Sequence, residues 1–128
     1  MSALSLDSIV LSRLVTKMVT ISNDELAVIA DRIIHLANPR RVILFGSQAR
    51  GTAKEGSDID LLIIGDRSSD KAWSRRREIG RIRRGLPFVR VPIDILLFTP
   101  DEIEQWRDTT NHVVSEALRE GKVLYERP

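Results

Sequence analysis

Residues 41–64 read RVILFGSQARGTAKEGSDIDLLII, and the centre of the predicted sheet lies in this stretch. It holds two short apolar runs, Arg41–Phe45 and Asp58–Ile64, each with the length and composition of a buried strand. Between them, Gly46–Gly51 predicts a turn that continues into a short helix, and residues 54–57 predict a polar loop. The stretch therefore predicts two strands that are joined by a turn and a short helix.

The flanking sequence predicts further helices and one more long strand. On the N-terminal side, an apolar stripe predicts a helix over Asp24–Ala37 with Ser22 or Asn23 as its cap. The elements predicted after the central stretch are a helix from Ser69 or Asp70 to Arg84, a strand over Val91–Phe98, a helix that begins at Pro100 with Thr99 as cap, a helix over Asn111–Glu120, and a short edge strand over Val123–Tyr125. This order predicts an α/β (α+β) fold, with a small mixed sheet and flanking helices in two or three layers.

The N-terminal segment is ambiguous. Four apolar residues in it recur at helical spacing, Leu6, Val10, Leu14 and Met18, so it is either an amphipathic helix or a disordered lead. We expect residues 1–21 to be an extension and residues 22–128 to form one domain.

Composition narrows the chemistry. The chain has no cysteine, and its two histidines, His35 and His112, lie far apart, so carboxylates are the expected metal ligands and Mg²⁺ or Mn²⁺ the expected ion. The formal net charge of +2 is too small to predict nucleic-acid binding. No apolar stretch reaches the roughly 18 residues of a membrane span, and the start lacks a secretory signal, so we expect a cytoplasmic protein without a membrane partner.

Gly46 and Ser47 follow directly on the first strand. Glycine permits the sharp turn, and a turn into a helix presents backbone N–H groups that bind phosphate oxygens. The serine hydroxyl adds a further donor. The alternative is a plain strand-to-helix turn, since Gly-Ser is a common pair.

Asp58 and Asp60 are two residues apart, so on a strand both project to one face. Two carboxylates that lie so close repel each other unless a cation sits between them. The sequence thus predicts a divalent metal there. The alternative is a polar strand entrance with both groups solvated.

Asp94 stands alone in the apolar run Val91–Phe98. A carboxylate buried in such a strand must be paired, protonated or bound to a metal. The alternatives are an exposed strand edge or a pair with an arginine of the preceding helix. Together with the Gly-Ser turn, three aspartates on two strands predict a site for two metal ions and a triphosphate.

The residues FGSQARGTAKEGSDIDLLII, with ten residues between Ser47 and Asp58, resemble the signature of the DNA polymerase beta-like nucleotidyltransferase superfamily. Within it, the chain resembles the MNT (minimal nucleotidyltransferase) proteins, also in VPIDILLFTPDEIE and EALREGKVLYE. The similarity covers about residues 24–126. It implies the polymerase beta-like fold and makes residues 22–128 a nucleotidyltransferase domain.

The resemblance assigns roles by position. It implies that Asp58, Asp60 and Asp94 are catalytic and hold two Mg²⁺ ions, for which Mn²⁺ can substitute. Asp94 would also take the proton of the attacking hydroxyl. The implied nucleotide-binding residues are Gly46, Ser47, Arg50 and Ser57, and ATP is the implied substrate.

MNT proteins act as antitoxins of HEPN-domain toxins, and several are similar to enzymes that transfer AMP to a toxin tyrosine. The resemblance therefore implies a protein adenylyltransferase with a HEPN toxin as partner, the more so because little of the chain is left for an acceptor domain. The alternatives are an antitoxin that acts by binding alone and a small-molecule nucleotidyltransferase of the aminoglycoside type. A homodimer could build the acceptor pocket for the latter, so either a homo- or a hetero-oligomer is compatible with the sequence.

Positive charge concentrates in residues 71–90, which hold eight Lys or Arg residues and one acidic residue, Glu78. The functional interpretations are contact with an acidic partner, with triphosphate or with RNA, and the alternative is a solvated helix face. Only Trp73 and Phe88 flank the cluster as aromatics, so nucleic acid is not expected as the main substrate.

Overall fold

The computed structural model describes residues 21–66 and 73–128. Of the predicted N-terminal extension, only Ile21 falls inside these ranges. In the described part of the chain, no helix is both long and apolar enough to cross a membrane.

The helices and strands follow each other in the predicted order. Their bounds are α1 Asn23–Ala37, β1 Arg41–Phe45, α2 Gly46–Arg50, β2 Ile59–Ile64, α3 Arg75–Gly85, β3 Ile93–Phe98, α4 Pro100–Trp106, α5 Val113–Glu120 and β4 Lys122–Glu126. The predicted α/β class and the mixed sheet are confirmed. The strand of the central stretch, β1, has the predicted bounds, and β2 begins one residue later than predicted.

The sheet has the order β3-β2-β1-β4 among the described residues. Strand β1 pairs antiparallel with β2 and with β4, whereas β2 and β3 are parallel. Strands β3 and β4 are therefore the two edges of this sheet. The register sets Phe45, the last residue of β1, opposite Asp60, and sets Asp60 opposite Asp94 of β3.

The core lies on both faces of the sheet, which gives three layers. On one face, α1 and α3 cover alternate strand residues, which include Leu44, Leu61 and Ile95. On the other face, α4 and α5 cover Phe45 and Leu62 through Ile103, Val114 and Ala117. Asp60 alternates with Leu61 and precedes Leu62 by two residues, so it lies on the α4–α5 face of the sheet.

Two helix starts confirm the predicted caps. Ser22 Oγ accepts a hydrogen bond from Glu25 N at 3.1 Å, and Glu25 reaches back to Ser22 N at 3.2 Å. Thr99 and Glu102 form the same reciprocal pair at the start of α4, with Pro100 in the first turn. Such pairs satisfy backbone donors that the helix itself leaves open.

Two other starts differ from the prediction. Helix α3 begins at Arg75 with Ser74 as its cap, because Ser74 Oγ accepts from Arg77 N; Ser69 and Asp70, which were expected there, lie outside the described residues. Helix α5 begins at Val113 rather than Asn111, since Asn111 is left-handed with φ 61°. His112 Nδ1 accepts from Val114 N at 3.1 Å and caps this helix instead.

Candidate active site

An open pocket of about 530 Å³ lies where β1 passes into α2 and β2 begins. Its lining is Phe45, Gly46, Ser47, Arg50, Gly56, Ser57, Asp58, Asp60 and Glu116. The structure thus brings together every residue of the predicted site except Asp94, which lies on the neighbouring strand. The backbone N–H groups of the Gly-Ser turn, which attract anions, and the carboxylates, which attract cations, therefore line the same pocket.

Gly46 holds the tightest position of the site. Its φ of +73° is in the left-handed region, which costs other residues energy. A Cβ atom at Gly46 would also collide with Oδ2 of Asp60. Glycine therefore allows the chain to turn and lets the Asp60 carboxylate lie directly against the turn.

Ser47 lies in the first turn of α2, where backbone N–H groups have no partner within the helix. The residue that precedes this helix is Phe45, whose side chain carries no hydrogen-bonding group. The open donors at Gly46 and Ser47 are suited to phosphate oxygens.

Ser57 holds the loop between α2 and β2 in shape. Its Oγ accepts from Lys54 N at 2.7 Å, and its backbone N–H donates to Lys54 O at 3.0 Å. Gln48 Nε2 of α2 donates to Ser57 O at 3.2 Å. Ser57 therefore ties the loop to α2 and lines the pocket.

Asp94 is exposed, not buried as a lone carboxylate in an apolar strand would suggest. The reason is that β3 is an edge strand, and the predicted alternative of an exposed strand edge is the one that the structure supports. Asp94 nevertheless pairs in register with Asp60 across the parallel β2–β3 ladder. Partners in register face the same side of a sheet, so both carboxylates lie on the α4–α5 face.

Asp60 is the partly buried member of the acidic group. Burial raises the pKa of Asp60, and the negative charges of Asp94 and Asp58 raise it further. The Arg50 guanidinium opposes this pKa shift in part, and Glu116 adds to it. Asp60 thus lies in an excess of negative charge, which a bound cation would relieve.

Arg50 lies at the rim of the pocket. It is exposed, and its Nη1 lies 3.5 Å from Glu120 Oε2 at the end of α5. An exposed pair of this length is weak, so Arg50 can exchange Glu120 for a phosphate group. Arg50 thus lines the same pocket as the Gly-Ser turn, and its role in nucleotide binding stays a prediction.

A metal ion at this site would bind to the carboxylates that line the pocket. Within residues 21–66 and 73–128, no group of three or more acidic or imidazole side chains is placed to hold a metal ion. Magnesium in nucleotide sites uses one or two carboxylates, and phosphates and water complete its shell. The oxygen donors and the excess negative charge around Asp60 fit such an ion.

Glu116 is the charged pocket residue that the sequence did not predict. It lies on α5, whose buried residues Val114 and Ala117 pack against the sheet face that carries Asp60. No sequence motif includes Glu116, because it is far from the central stretch in sequence. Within its own helix it is an ordinary exposed residue. Only the packing of α5 brings it to the pocket.

Comparison with known proteins gives one family. Residues 26–124 match the family described as nucleotidyltransferase domain. A candidate protein adenylyltransferase of Methanocaldococcus jannaschii is 63% identical over 27 residues, which are 21% of this chain and 27% of that protein. The chain thus matches about a quarter of the length of this relative.

A solved structure shares the fold. A candidate nucleotidyltransferase from Sulfolobus solfataricus superposes with a TM-score of 0.51 at 16% identity, over 80% of this chain and 84% of the other. A toxin–antitoxin complex with AMP-PNP reaches a TM-score of 0.48 at 20% identity, over 76% of this chain and 73% of that chain. The first likeness supports the fold, and the second is too weak to bear on this chain.

Proposed function

This chain belongs to the nucleotidyltransferase domain family, and we propose that it transfers AMP from ATP to a hydroxyl group of a partner protein. The observation that carries the proposal is the shared pocket: the Gly46-Ser47 turn and the carboxylates of Asp58 and Asp60 line one space. Phosphate donors beside carboxylates are what a nucleoside triphosphate with its metal ions requires.

The nucleotide-binding part is assigned to the turn and its rim. Backbone N–H groups of Gly46 and Ser47 hold phosphate oxygens, with Arg50 and the Ser57 hydroxyl as further contacts. Asp58, Asp60 and Asp94 are the residues that would hold two Mg²⁺ ions. When bound, such ions neutralise charge on the transferring group and orient the attacking and leaving oxygens.

The reaction is a substitution at the α-phosphorus. The oxygen of the acceptor hydroxyl forms a bond to the α-phosphorus, and the bond from that phosphorus to the oxygen that bridges to the β-phosphorus breaks. The electron pair leaves with pyrophosphate, and the hydroxyl proton passes to Asp94. The exposure of Asp94 on an edge strand suits this role, because the acceptor must arrive from outside the chain.

The acceptor class is the finer part of the proposal. The resemblance to MNT proteins favours a HEPN toxin as the partner, a tyrosine as the acceptor and an antitoxin as the biological role. The short stretch shared with a candidate protein adenylyltransferase supports AMP as the group and a protein as the acceptor.

Intact mass spectrometry tests this directly. The chain is incubated with ATP, Mg²⁺ and a HEPN-domain toxin, and the mass of that toxin should rise by one AMP group. A matched reaction uses the double variant Asp58→Asn, Asp60→Asn, which should give no adduct. An unmodified partner in the wild-type reaction would contradict the proposal.

The same double variant separates catalysis from binding. If it still forms the complex and no longer neutralises the toxin, transfer is the antitoxin activity. Neutralisation that survives in the variant would show that masking of the toxin suffices, and the transfer would then not be the function.

A further inference from the structure

One polar side chain of the candidate active site has no assigned role. The residues that line the pocket and carry a polar side chain are Ser47, Arg50, Ser57, Asp58, Asp60 and Glu116. All of them except Glu116 are assigned to the triphosphate and its metal ions. An ATP molecule also has a nucleoside half, which needs contacts of its own, and Glu116 is the polar side chain left to supply one.

The carboxylate of Glu116 is open to a ligand. Glu116 is exposed, and within residues 21–66 and 73–128 its side chain takes part in no ion pair and accepts no hydrogen bond. The arginine of the pocket, Arg50, pairs instead with Glu120, one turn farther along α5, at 3.5 Å. A carboxylate without a partner at the wall of a pocket can accept hydrogen bonds through both of its oxygens.

Glu116 lies next to the acidic group of β2 rather than within it. Its charge raises the pKa of Asp60, so the two carboxylates are within electrostatic range of each other. Of the charged side chains that act on Asp60, Asp94 has the largest effect, followed by Asp58, and Glu116 has the smallest. Because Coulomb interactions weaken with distance, Glu116 lies farther from Asp60 than these two aspartates do.

The parts of ATP differ in what they offer to a carboxylate. Phosphate oxygens are negatively charged and repel it, whereas the ribose hydroxyls and the adenine amino group can donate hydrogen bonds to it. The ribose is joined directly to the α-phosphate, the group that the proposed reaction places at Asp58 and Asp60. Adenine lies one group farther away. The neighbouring hydroxyls at C2′ and C3′ of the ribose match the two oxygens of one carboxylate.

We infer that Glu116 is a specificity-determining residue that accepts hydrogen bonds from the ribose hydroxyls and so selects ribonucleoside triphosphates over deoxyribonucleotides. The inference rests on the proposed function, because it requires the α-phosphate to lie at Asp58 and Asp60. A nucleotide that lacks one of the hydroxyls leaves a carboxylate oxygen of Glu116 without its donor, which weakens binding.

The test compares ATP, 2′-deoxy-ATP and 3′-deoxy-ATP as substrates of the full chain with Mg²⁺ and a HEPN-domain toxin. In the wild type, kcat/KM for ATP should be at least about 10-fold above that for each deoxynucleotide, as expected for a hydrogen bond to a charged group. Glu116→Ala should reduce this preference to less than about threefold, mainly by lowering kcat/KM for ATP. A residue that only supported the fold would lower all three values alike.

Two variants serve as matched controls. Glu120→Ala removes the same side chain one turn along α5, and Glu104→Ala removes an exposed glutamate of α4 that does not line the pocket. Both should keep the wild-type preference for ATP. Loss of the pair with Arg50 in Glu120→Ala can change the absolute rates, but it acts on the three nucleotides equally. Circular dichroism melting confirms that each variant is folded.

The outcomes separate the role of Glu116 from the proposed function. If the wild type transfers nothing, the proposed function fails, and dissociation constants of the three nucleotides with Mg²⁺, measured by calorimetry, decide on Glu116 by the same ratios. A preference for ATP that persists in Glu116→Ala would overturn the inference and leave the transfer intact. A wild type without such a preference would overturn it too. So would a Glu116→Ala variant whose only change is a higher KM for the toxin or a weaker affinity for Mg²⁺.

Discussion

Two aspartates lie near opposite ends of the central strand β2 and have opposite electrostatic surroundings. Asp60, near its start, lies beside Asp94 and Asp58, and burial followed by these charges raises its pKa. Asp66, just after its end, accepts from Arg40 Nε at 2.9 Å and lies 3.0 Å from Arg127 Nη1, and these arginines lower its pKa. Two arginines compensate the charge of Asp66, whereas Arg50 compensates that of Asp60 only in part.

This contrast in surroundings favours the Asp60 end of β2, rather than the Asp66 end, as the proposed ligand site. A carboxylate with two arginine partners is satisfied and stabilises the fold. A carboxylate that is crowded by others costs stability until a cation or a phosphate-bound metal arrives, which is the usual condition of a functional site. The predictions below exploit this contrast between Asp60 and Asp66.

The largest effect is expected from Asp60→Asn. Transfer should fall at least about 10³-fold in kcat/KM, because metal-ion stabilisation of the transition state is worth several kcal/mol. The ligand-free variant should melt at the same or a higher temperature than the wild type, since its substitution removes a repelled charge. Asp66→Asn is the matched control and should keep kcat/KM within about twofold. An equal loss of kcat/KM in Asp60→Asn and Asp66→Asn would contradict the proposed difference between the two ends of β2.

Gly46→Ala should come next, with Gly51→Ala as its control. Both glycines have nearly the same φ, +73° and +74°, so both variants bear the strain of a left-handed alanine, about 1–2 kcal/mol. Only at Gly46 would the new methyl group collide with Asp60; at Gly51 it meets open space. Gly46→Ala should therefore lose about 10²-fold in kcat/KM through misplacement of Asp60, and Gly51→Ala should not. Denaturant melts and steady-state rates measure the two effects, and equal activities would contradict the role of the close approach.

Binding of divalent ions should stabilise the wild type but not Asp60→Asn. At Mg²⁺ and ATP concentrations about 100-fold above the dissociation constant, the gain of about 2.7 kcal/mol corresponds to a melting temperature about 10 °C higher. Differential scanning fluorimetry measures it, and Asp66→Asn should show the same rise as the wild type. A rise of equal size in Asp60→Asn would place the ion elsewhere.

The smallest effect concerns pH. The pKa of Asp66 is lowered below its ordinary value of 3.8, so its stabilisation is present above that value and is lost as the pH falls through the lowered pKa. The pKa of Asp60 is raised, so its ionised form costs stability at neutral pH, and this cost disappears as the pH falls through the raised pKa. Asp66→Asn should therefore lose less stability than the wild type on acidification below about pH 4. Asp60→Asn should gain less stability than the wild type on mild acidification. If the free energy of unfolding of both variants followed that of the wild type from pH 7 to pH 3, both predicted directions would be wrong.

Much of the fold follows from local pattern. Strand β1 and the caps at Ser22 and Thr99 depend on apolar runs and on side chains within three residues, which a sequence shows. The start of α3 could not be predicted, because Ser69, Asp70 and Ser74 are all capping residues and only packing chooses among them.

The site was predicted where its residues are close in sequence and not where the sheet brings distant ones together. The Gly-Ser turn and Asp58 and Asp60 lie within one stretch, and the structure places them in one pocket. The exposure of Asp94 depends on β3 being an edge strand, and the position of Glu116 depends on how α5 packs on the sheet. Neither the exposure of Asp94 nor the position of Glu116 can be predicted from a local sequence pattern. The assigned roles of these residues stay predictions.

Position-labelled ATP tests the central claim most directly. The chain, Mg²⁺ and the HEPN-type partner are incubated with ATP that carries ³²P at either the α- or the γ-phosphate, and the partner is counted after gel separation. Nucleotidyl transfer predicts that the α-label enters the partner and that the γ-label leaves as pyrophosphate. Wild type and Asp66→Asn should incorporate the same amount of α-label, and Asp60→Asn should incorporate none. Incorporation of the γ-label, or of the α-label by Asp60→Asn, would contradict a nucleotidyl transfer that depends on the acidic end of β2.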